Sequence, residues 1–560
     1  MPRSKVLMLG SCITILTIAL LIYSTATTSV LWIEPTDLGL ASQLPLTYWI
    51  GFFLLGCLWY IGKNSHYFLI TALLLTLSYL YVAPTVVRVT PWISNSYYPF
   101  GEALLINSSG HLVYHSSALF VSYLDWPIFL YLASAFTLIT GIPHDILLKY
   151  FPLLIVSLGG LFSVLILRTK LKFSLSLFGA AWVLGSLFIR QQYFGPQAVA
   201  YVFFLLMLLL VSWLFFEERA NKRILIALLL FLGIVTTFTH PLTSLMSVFL
   251  MFALYLTYRF VLGKSSAVIS ALCLLLGAVW LGYNMFVVSS FFRMAALHFS
   301  DILFGERELG LYSEPSRVVG SSAMRLNVIS SWIIVVLGAA ISVISIFFFI
   351  KNMRKKTMTS QIGFYVFMVF LLVLLGLFAF VGEYGAHEAY QRAFMFALIP
   401  ISFLCVIFLA KKPKLLVVCL IGLLFLNIPA QYGGDTYRLA TKTQLAGSAF
   451  VADYSDQDIS LVGKFSLYIR YYDPLKEIEV LSTGLTFPYT TYNSSAVNEA
   501  INEALKEADY ILSSDLQDNY YVYFLGFDPL EQVNFEDKCN LIYDNGRFRL
   551  FRPLNEIIQP

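Results

Sequence analysis

Val202-Phe-Phe-Leu-Leu-Met-Leu-Leu-Leu-Val-Ser-Trp-Leu-Phe215 carries no charge, Phe216-Glu-Glu-Arg-Ala-Asn-Lys-Arg223 carries five, and Ile224-Leu-Ile-Ala-Leu-Leu-Leu-Phe-Leu-Gly-Ile-Val235 again carries none. Two uncharged runs hinged on a charged turn read as a pair of membrane-crossing helices. With their flanks they cover 196–215 and 223–239, close to the roughly 20 residues that cross the hydrocarbon as a helix. Working outward, the same pattern recurs over 7–26, 46–62, 67–83, 146–167, 174–189, 241–261, 266–290, 328–350, 361–381, 390–410 and 414–430. Composition agrees. Of 560 residues 59% are hydrophobic and 12% charged, against about 25% charged in a soluble domain. Lipid is therefore the expected solvent. The net charge of +4 is small, and no nucleic-acid partner is expected.

Sidedness follows from the preference of Lys and Arg for cytoplasmic loops. The basic clusters are Arg3/Lys5, Lys63, Arg168–Lys172, Arg219–Arg223, Arg259/Lys264, Lys351–Lys356 and Lys411/Lys412/Lys414. They all fall on one side only if the further apolar stretch 126–141 is re-entrant or interfacial rather than a full crossing. The expectation is thus about 13 transmembrane helices, a cytoplasmic N-terminus, and a multi-pass protein of the plasma membrane. Met1-Pro-Arg-Ser-Lys5 could open a signal peptide, but no small-residue cleavage site follows, so 7–26 reads as a retained helix. The opposite face then receives loops 84–125 and 291–327, the short turns near 190–197 and 240, and everything after about 431.

Two domains are expected: a multi-span membrane domain, 1–430, and an extracellular α/β domain, 431–560. In the tail, Ile459–Val462, Ile478–Leu481 and Tyr510–Leu512 read as short buried strands. Asp544-Asn-Gly followed by Arg547–Phe551 reads as a hairpin, and Ala496–Ala508 as an amphipathic helix. Five of the six cysteines sit inside apolar runs and Cys539 is alone in the tail, so no disulfide framework is expected.

The polar residues able to do chemistry gather on the outer side. Asn95-Ser-Tyr-Tyr-Pro-Phe-Gly-Glu102 with His111 places a carboxylate near aromatic rings and an imidazole. Glu102 there suits a base for a substrate hydroxyl, unless it is merely solvated beside an aromatic belt. Arg190-Gln191-Gln-Tyr-Phe-Gly-Pro-Gln197 offers a guanidinium and amides for phosphate or sugar hydroxyls; a snorkelling arginine before a helix-opening proline is the plain alternative. Thr239-His240-Pro-Leu-Thr243 sets an imidazole at a span junction, facing a cavity or satisfied by backbone. Arg392 opens a late span at headgroup depth, free to meet a lipid phosphate or to pair with Glu388. Arg293 and Arg317 lie in a mixed-charge loop that could serve as a lid.

The order of these pieces resembles the archaeal members of the GT-C superfamily of membrane glycosyltransferases, relatives of the dolichyl-phosphate-mannose-dependent mannosyltransferases. The resemblance rests on the loop from Asn95 to His111, Trp126-Pro127 through Thr140-Gly141, Tyr193-Phe-Gly-Pro-Gln197, Thr239-His-Pro-Leu-Thr243, and Arg392 opening a span. It implies a GT-C-like fold and inverting transfer of a sugar from a polyprenyl-phosphate-linked donor to a glycan or glycoprotein acceptor on the outer face. It also implies a carboxylate base in the first large outer loop and basic residues holding the lipid phosphate. Related loops read Asp-Ser-Tyr-x-His where this chain has Asn95-Ser-Tyr-Tyr-Pro99; an amide cannot be a base, so either Glu102 takes that role or the activity has changed. On this reading Glu102, His111 and Asn95 form the catalytic set. Arg190, Gln191, Gln197, His240 and Arg392 hold the donor. No cofactor is required and no metal ligands are assigned, with a divalent metal left open. The alternatives are a transporter or lipid-glycan flippase, disfavoured by the lack of internal repeats, and a catalytically silent relative.

Overall fold

In hydrocarbon a backbone must satisfy its own hydrogen bonds, so each uncharged run is driven into a helix. The computed structural model describes residues 3–33, 39–113, 124–188, 193–217, 222–263, 266–288, 322–353, 360–381, 389–433, 435, 438–462, 468–480, 506–519 and 538–554. The chain is a polytopic helical membrane protein with a small C-terminal mixed-sheet domain. The first helices are α1 (Arg3–Thr27), α2 (Leu46–Gly62) and α3 (His66–Val87), followed by two short ones, α4 (Tyr97–Ser109) and α5 (Ile128–Thr140). Then come α6 (His144–Arg168), α7 (Phe173–Ser186), α8 (Pro196–Phe216), α9 (Lys222–Thr237), α10 (Pro241–Val261) and α11 (Ala267–Phe286). The bundle closes with α12 (Ser322–Met353), α13 (Ser360–Val381), α14 (Ala389–Leu409) and α15 (Pro413–Tyr432). Every expected span is a helix. α12 begins earlier than expected, at Ser322, and the outer loop after α3 contains the helix α4.

Ten of these helices are long and apolar enough to cross a bilayer. At 14 residues α7 is short. It tolerates this because its neighbours enclose it: every residue from Ser176 to Ser186 is buried, so protein rather than lipid surrounds it. Gly179 permits that closeness, since a Cβ there would stand 2.4 Å from Leu167 Cδ1.

Contacts sort the bundle into two ends. At one, Val30 N donates to Val87 O (2.7 Å), Ser94 N to Arg438 O (2.9 Å), and the Asn327 amide to Pro429 O (2.8 Å). At the other, Lys170 Nζ and Ser360 Oγ both donate to Phe216 O (2.7 and 2.9 Å), and His66 packs on Phe173. The basic clusters Lys63, Arg168–Lys172 and Lys222/Arg223 belong to this second end. Helix α5 starts and finishes at the first. Ile128 N donates to Phe238 O (3.3 Å) as it begins. Past its end, His144 packs on Phe100 and Asp145 accepts from Tyr471 Oη (2.8 Å). Both ends of α5 thus meet the same end of the bundle, and its thirteen residues rise only about 20 Å, short of the roughly 30 Å core.

Within α3 the segment Ser78–Val82 is a π-helical turn, which frees carbonyls that lipid cannot solvate. Tyrosine hydroxyls take up the slack: Tyr48 Oη donates to Tyr79 O (2.7 Å) and Tyr432 Oη donates to Leu80 O. Arg88, just after α3, forms a fully buried ion pair with Asp435, just after α15.

The tail folds as helix α16 (Lys442–Tyr454), strand β1 (Asp458–Val462), the short helix α17 (Ile469–Tyr472), then β2 (Glu477–Val480), β3 (Tyr510–Ser514), β4 (Cys539–Asp544) and β5 (Phe548–Pro553). The sheet order is β2-β1-β3-β5-β4, with β1 parallel to both β2 and β3 and the β4–β5 hairpin antiparallel. The expected strands and hairpin are present, whereas most of the expected helix 496–508 lies outside the described residues. A second core joins this sheet to the outer helices, bringing Tyr97, Phe100, Phe129 and Phe194 together with Tyr468, Ile511 and Phe551. Each such ring, buried, contributes roughly 1.5–3 kcal/mol.

Removing one partner of a buried ion pair typically costs about 3–5 kcal/mol, because the other charge stays behind. Arg88→Ala and Asp435→Asn are each expected to lower the melting temperature in detergent markedly and to speed proteolysis of the tail. The double change Arg88→Met/Asp435→Leu should recover most of the loss. Cysteines introduced at His111 and at Lys351 should react with an impermeant maleimide from opposite sides of sealed membranes; labelling of both from one side would overturn the two-ended arrangement.

Candidate functional site

Three helices begin together at the first end. Pro196 opens α8 and Pro241 opens α10, each at a position where the missing N–H has no intrahelical partner to lose. His240 caps α10, its Nδ1 accepting from Thr243 N (3.2 Å) with Thr243 Oγ1 3.0 Å away. An Nδ1 that accepts leaves the proton on Nε2. On the first turn of α14, Arg392 Nη1 donates to Gln197 Oε1 of α8. The charge of Arg392 also reaches His240: burial, and then that charge, hold its imidazole well below the ordinary histidine pKa. Gln197, His240 and Arg392 are thereby brought together.

Gln197 carries a further signal. It is 3% exposed, its Oε1 is committed to Arg392, and its Nε2 has no hydrogen-bond partner among the described residues. A buried amide donor left unpaired costs about 1–3 kcal/mol, a cost that a bound acceptor group would remove. Guanidinium, amide and imidazole N–H groups stand beside helix N-termini, which carry partial positive charge. Together they suit a phosphate.

Glu102 lies elsewhere. It is 2% exposed on α4, and its Oε1 accepts from Arg470 Nη1 of α17 at 2.7 Å in a buried ion pair. The backbone of Arg470 approaches so closely that a Cβ on Gly101 would stand 3.1 Å from it. Around the pair, Tyr97 packs edge-on against Tyr468 and Tyr471. His111 is exposed beyond the C-terminus of α4, its Nδ1 2.9 Å from Ser109 O. Nine residues of helix separate it from Glu102 by about 13 Å, so the two are not brought together. Asn95 is exposed in the short turn Ser94–Ser96. Arg190, Gln191, Arg293 and Arg317 lie outside the described residues. Among the described residues no group of three or more His, Cys, Asp or Glu gathers at metal-binding distance.

No family model and no curated protein matches the sequence. Solved structures show a likeness at low identity. The crystal structure of the Archaeoglobus fulgidus oligosaccharyltransferase tethered with an acceptor peptide is similar over 89% of this chain and 75% of that one, at 10% identity and a TM-score of 0.49. ArnT from Cupriavidus metallidurans bound to undecaprenyl phosphate is similar over 89% of this chain and 100% of that one, at 11% identity and 0.47. The apo state of ArnT covers 83% and 94%, at 12% and 0.36.

Several residues that shape this end escape a reading of the sequence. Arg470, inside Ile469-Arg-Tyr-Tyr472, looks like any basic residue of a polar tail; only the nearby Tyr468, Tyr471 and Tyr472 hint at burial. Arg88 and Asp435 are 347 residues apart, with nothing local to pair them. Thr243 was legible as part of the histidine turn but not as the donor that fixes the tautomer.

The histidine yields a pH test. Folded, His240 resists protonation; unfolded, it takes a proton near its ordinary value of 6.5. Its neutral burial is therefore without penalty above that value, and stability drains as pH falls below it. Melting temperature is expected to drop between pH 7.5 and 5 more steeply for the wild type than for His240→Gln, and equal slopes would contradict the burial of a neutral imidazole.

Proposed function

We propose that this chain is a GT-C-type membrane glycosyltransferase that takes a sugar from a polyprenyl-phosphate-linked donor and passes it to a glycan or protein acceptor. The observation that carries the reading is the unpaired, buried Gln197 amide beside Arg392 and His240, where three helices begin. Groups placed to accept a phosphate at the lip of a helix bundle, among apolar spans, match a ligand whose phosphate sits at the headgroups and whose chain runs into lipid. The order of sequence motifs supports the same class. In this reading the basic end of the bundle faces the cytoplasm, and the tail, about 431–560, stands outside the plasma membrane. Glu102, held by Arg470, clamps α17 to α4.

A second reading has its own support. Asn95 stands where the resembling loops carry aspartate, and Glu102 is engaged in an ion pair. A chain that binds the lipid phosphate without transferring sugar would show both features.

Charged hydrogen bonds are worth about 1.5–3 kcal/mol, so Arg392→Gln is expected to weaken polyprenyl phosphate binding roughly 10- to 100-fold, with Arg392→Lys intermediate because it lacks the planar fork. Titration of the full-length protein in nanodiscs reads this directly. Unchanged affinity in Arg392→Gln removes the basis of the donor site. Wild-type binding without donor turnover would favour the silent reading.

A further inference from the structure

Three helices are interrupted near the first end of the bundle. The π-helical turn Ser78–Val82 lies within α3, α7 stops at Ser186, and Pro429 sits inside α15. Proline has no N–H to give the carbonyl four residues back, that of Phe425. Backbone groups freed at such a depth must be met from within the protein or by water. Tyrosines meet several of them. Tyr81 Oη donates to Leu184 O (2.6 Å) and lies 3.2 Å from Leu187 O, at the end of α7. Tyr201, near Tyr81 and one turn along α8 from Gln197, donates to Met395 O (3.4 Å), three residues beyond Arg392.

Asn427 is left out. It is fully buried on α15, and neither its Oδ1 nor its Nδ2 has a hydrogen-bond partner among the described residues. Tyr81 stands beside it, but the tyrosine proton goes to α7, and no hydrogen bond of acceptable geometry joins the two side chains. The direction of Asn427 follows from its helix. A Cβ on Gly185 would stand 3.0 Å from Leu424 Cδ2 and 3.3 Å from Leu423 Cδ2, so the face of α15 bearing those leucines packs on α7. Asn427, three residues beyond one and four beyond the other, continues that face. Both helices run toward the first end, and α7 stops one residue past Gly185 while α15 goes on to Tyr432. Asn427 therefore faces the C-terminal end of α7, where the last carbonyls have no partner in their own helix. Gly185 O accepts no hydrogen bond among the described residues.

The unmet groups are of both kinds: Nδ2 has protons to give, while Oδ1 and Gly185 O have lone pairs to fill. A cation would serve the oxygens and repel the amide N–H groups; an anion would do the reverse. Water donates and accepts. We propose that Asn427 anchors ordered water at the end of α7, inside the bundle and beneath the donor groups. A buried water of this kind makes about three hydrogen bonds to polar groups that would otherwise go unmet. It would close the C-terminus of α7 in place of the turn that the helix lacks. With Tyr81 and Tyr201 it would also extend a polar layer below Gln197 and Arg392. Such water belongs to the folded chain whether or not sugar is transferred.

The test uses full-length protein in nanodiscs. A density map fine enough to show ordered solvent is expected to hold a peak within hydrogen-bond distance of the Asn427 carboxamide and of the α7 end; a dry contact there overturns the assignment. Melting temperatures give an independent sign. If water is bound, Asn427→Leu excludes it, leaves Gly185 O unmet and lowers the melting temperature on the order of 2 °C. Asn427→Ala still admits water and should fall less. In a dry core the order reverses, because Leu removes a costly unmet amide whereas Ala opens a cavity. A melting temperature above wild type in Asn427→Leu, or one below wild type only in Asn427→Ala, therefore overturns the proposal. So does a stabilisation by sodium chloride over choline chloride that Asn427→Leu abolishes, since a cation would then hold the place.

Discussion

The buried pair of Arg88 and Asp435 fixes how the tail leaves the membrane. Asp435 accepts from the Arg88 guanidinium on one oxygen and from Trp92 Nε1 on the other, at 3.0 Å. The guanidinium also lies over the rings of Trp92 and Tyr432, 5.2 and 4.9 Å from their centroids. Two charges taken from water at this depth hold through each other and through Trp92, while Arg88 Nε meets no acceptor among the described residues. The pair joins the end of the third span to the end of the last, so the direction of the chain beyond α15 is set by the first outer segment. Everything the tail contributes, including Arg470 against Glu102 and the shared core around Tyr97 and Tyr468, depends on that exit angle.

Burial then sorts the acids by duty. Asp435 and Glu102 are sealed with arginines at 0–1% side-chain exposure and serve as fasteners between elements far apart in sequence. Asp125 has less enclosure, and among the described residues burial rather than a paired cation shifts its proton affinity, upward. Arg392, by contrast, donates to an amide, the Oε1 of Gln197.

The membrane part was readable in the sequence because its signal is local. Uncharged runs become helices whatever their neighbours do, and the basic turns at Arg168–Lys172 and Arg219–Arg223 fix which ends lie together. Charge bookkeeping also set the stretch 126–141 apart from the spans, and the two ends of α5 do meet the same end of the bundle. Gln197, His240 and Arg392 were legible for a related reason: each sits at a span junction, where a polar residue stands out against apolar flanks. The partnerships were not legible. Nothing around Glu102 announces Arg470, 368 residues later, and a carboxylate near tyrosines reads alike whether it is exposed or sealed. Pairings of this kind are decided by the tertiary route of the tail, which a single sequence leaves unstated.

Helix α5 turns its small and polar side, Ala133, Ser134 and Thr137, inward and leaves Leu132, Phe136, Leu138 and Ile139 outward, between 43% and 83% exposed. Its first turn is joined to Phe238 and Phe194, so α5 is coupled to the stretches that open α8 and α10. A displacement of this one short helix is therefore felt at two helix starts at once, Pro196 and Pro241, which lie 45 residues apart in the chain.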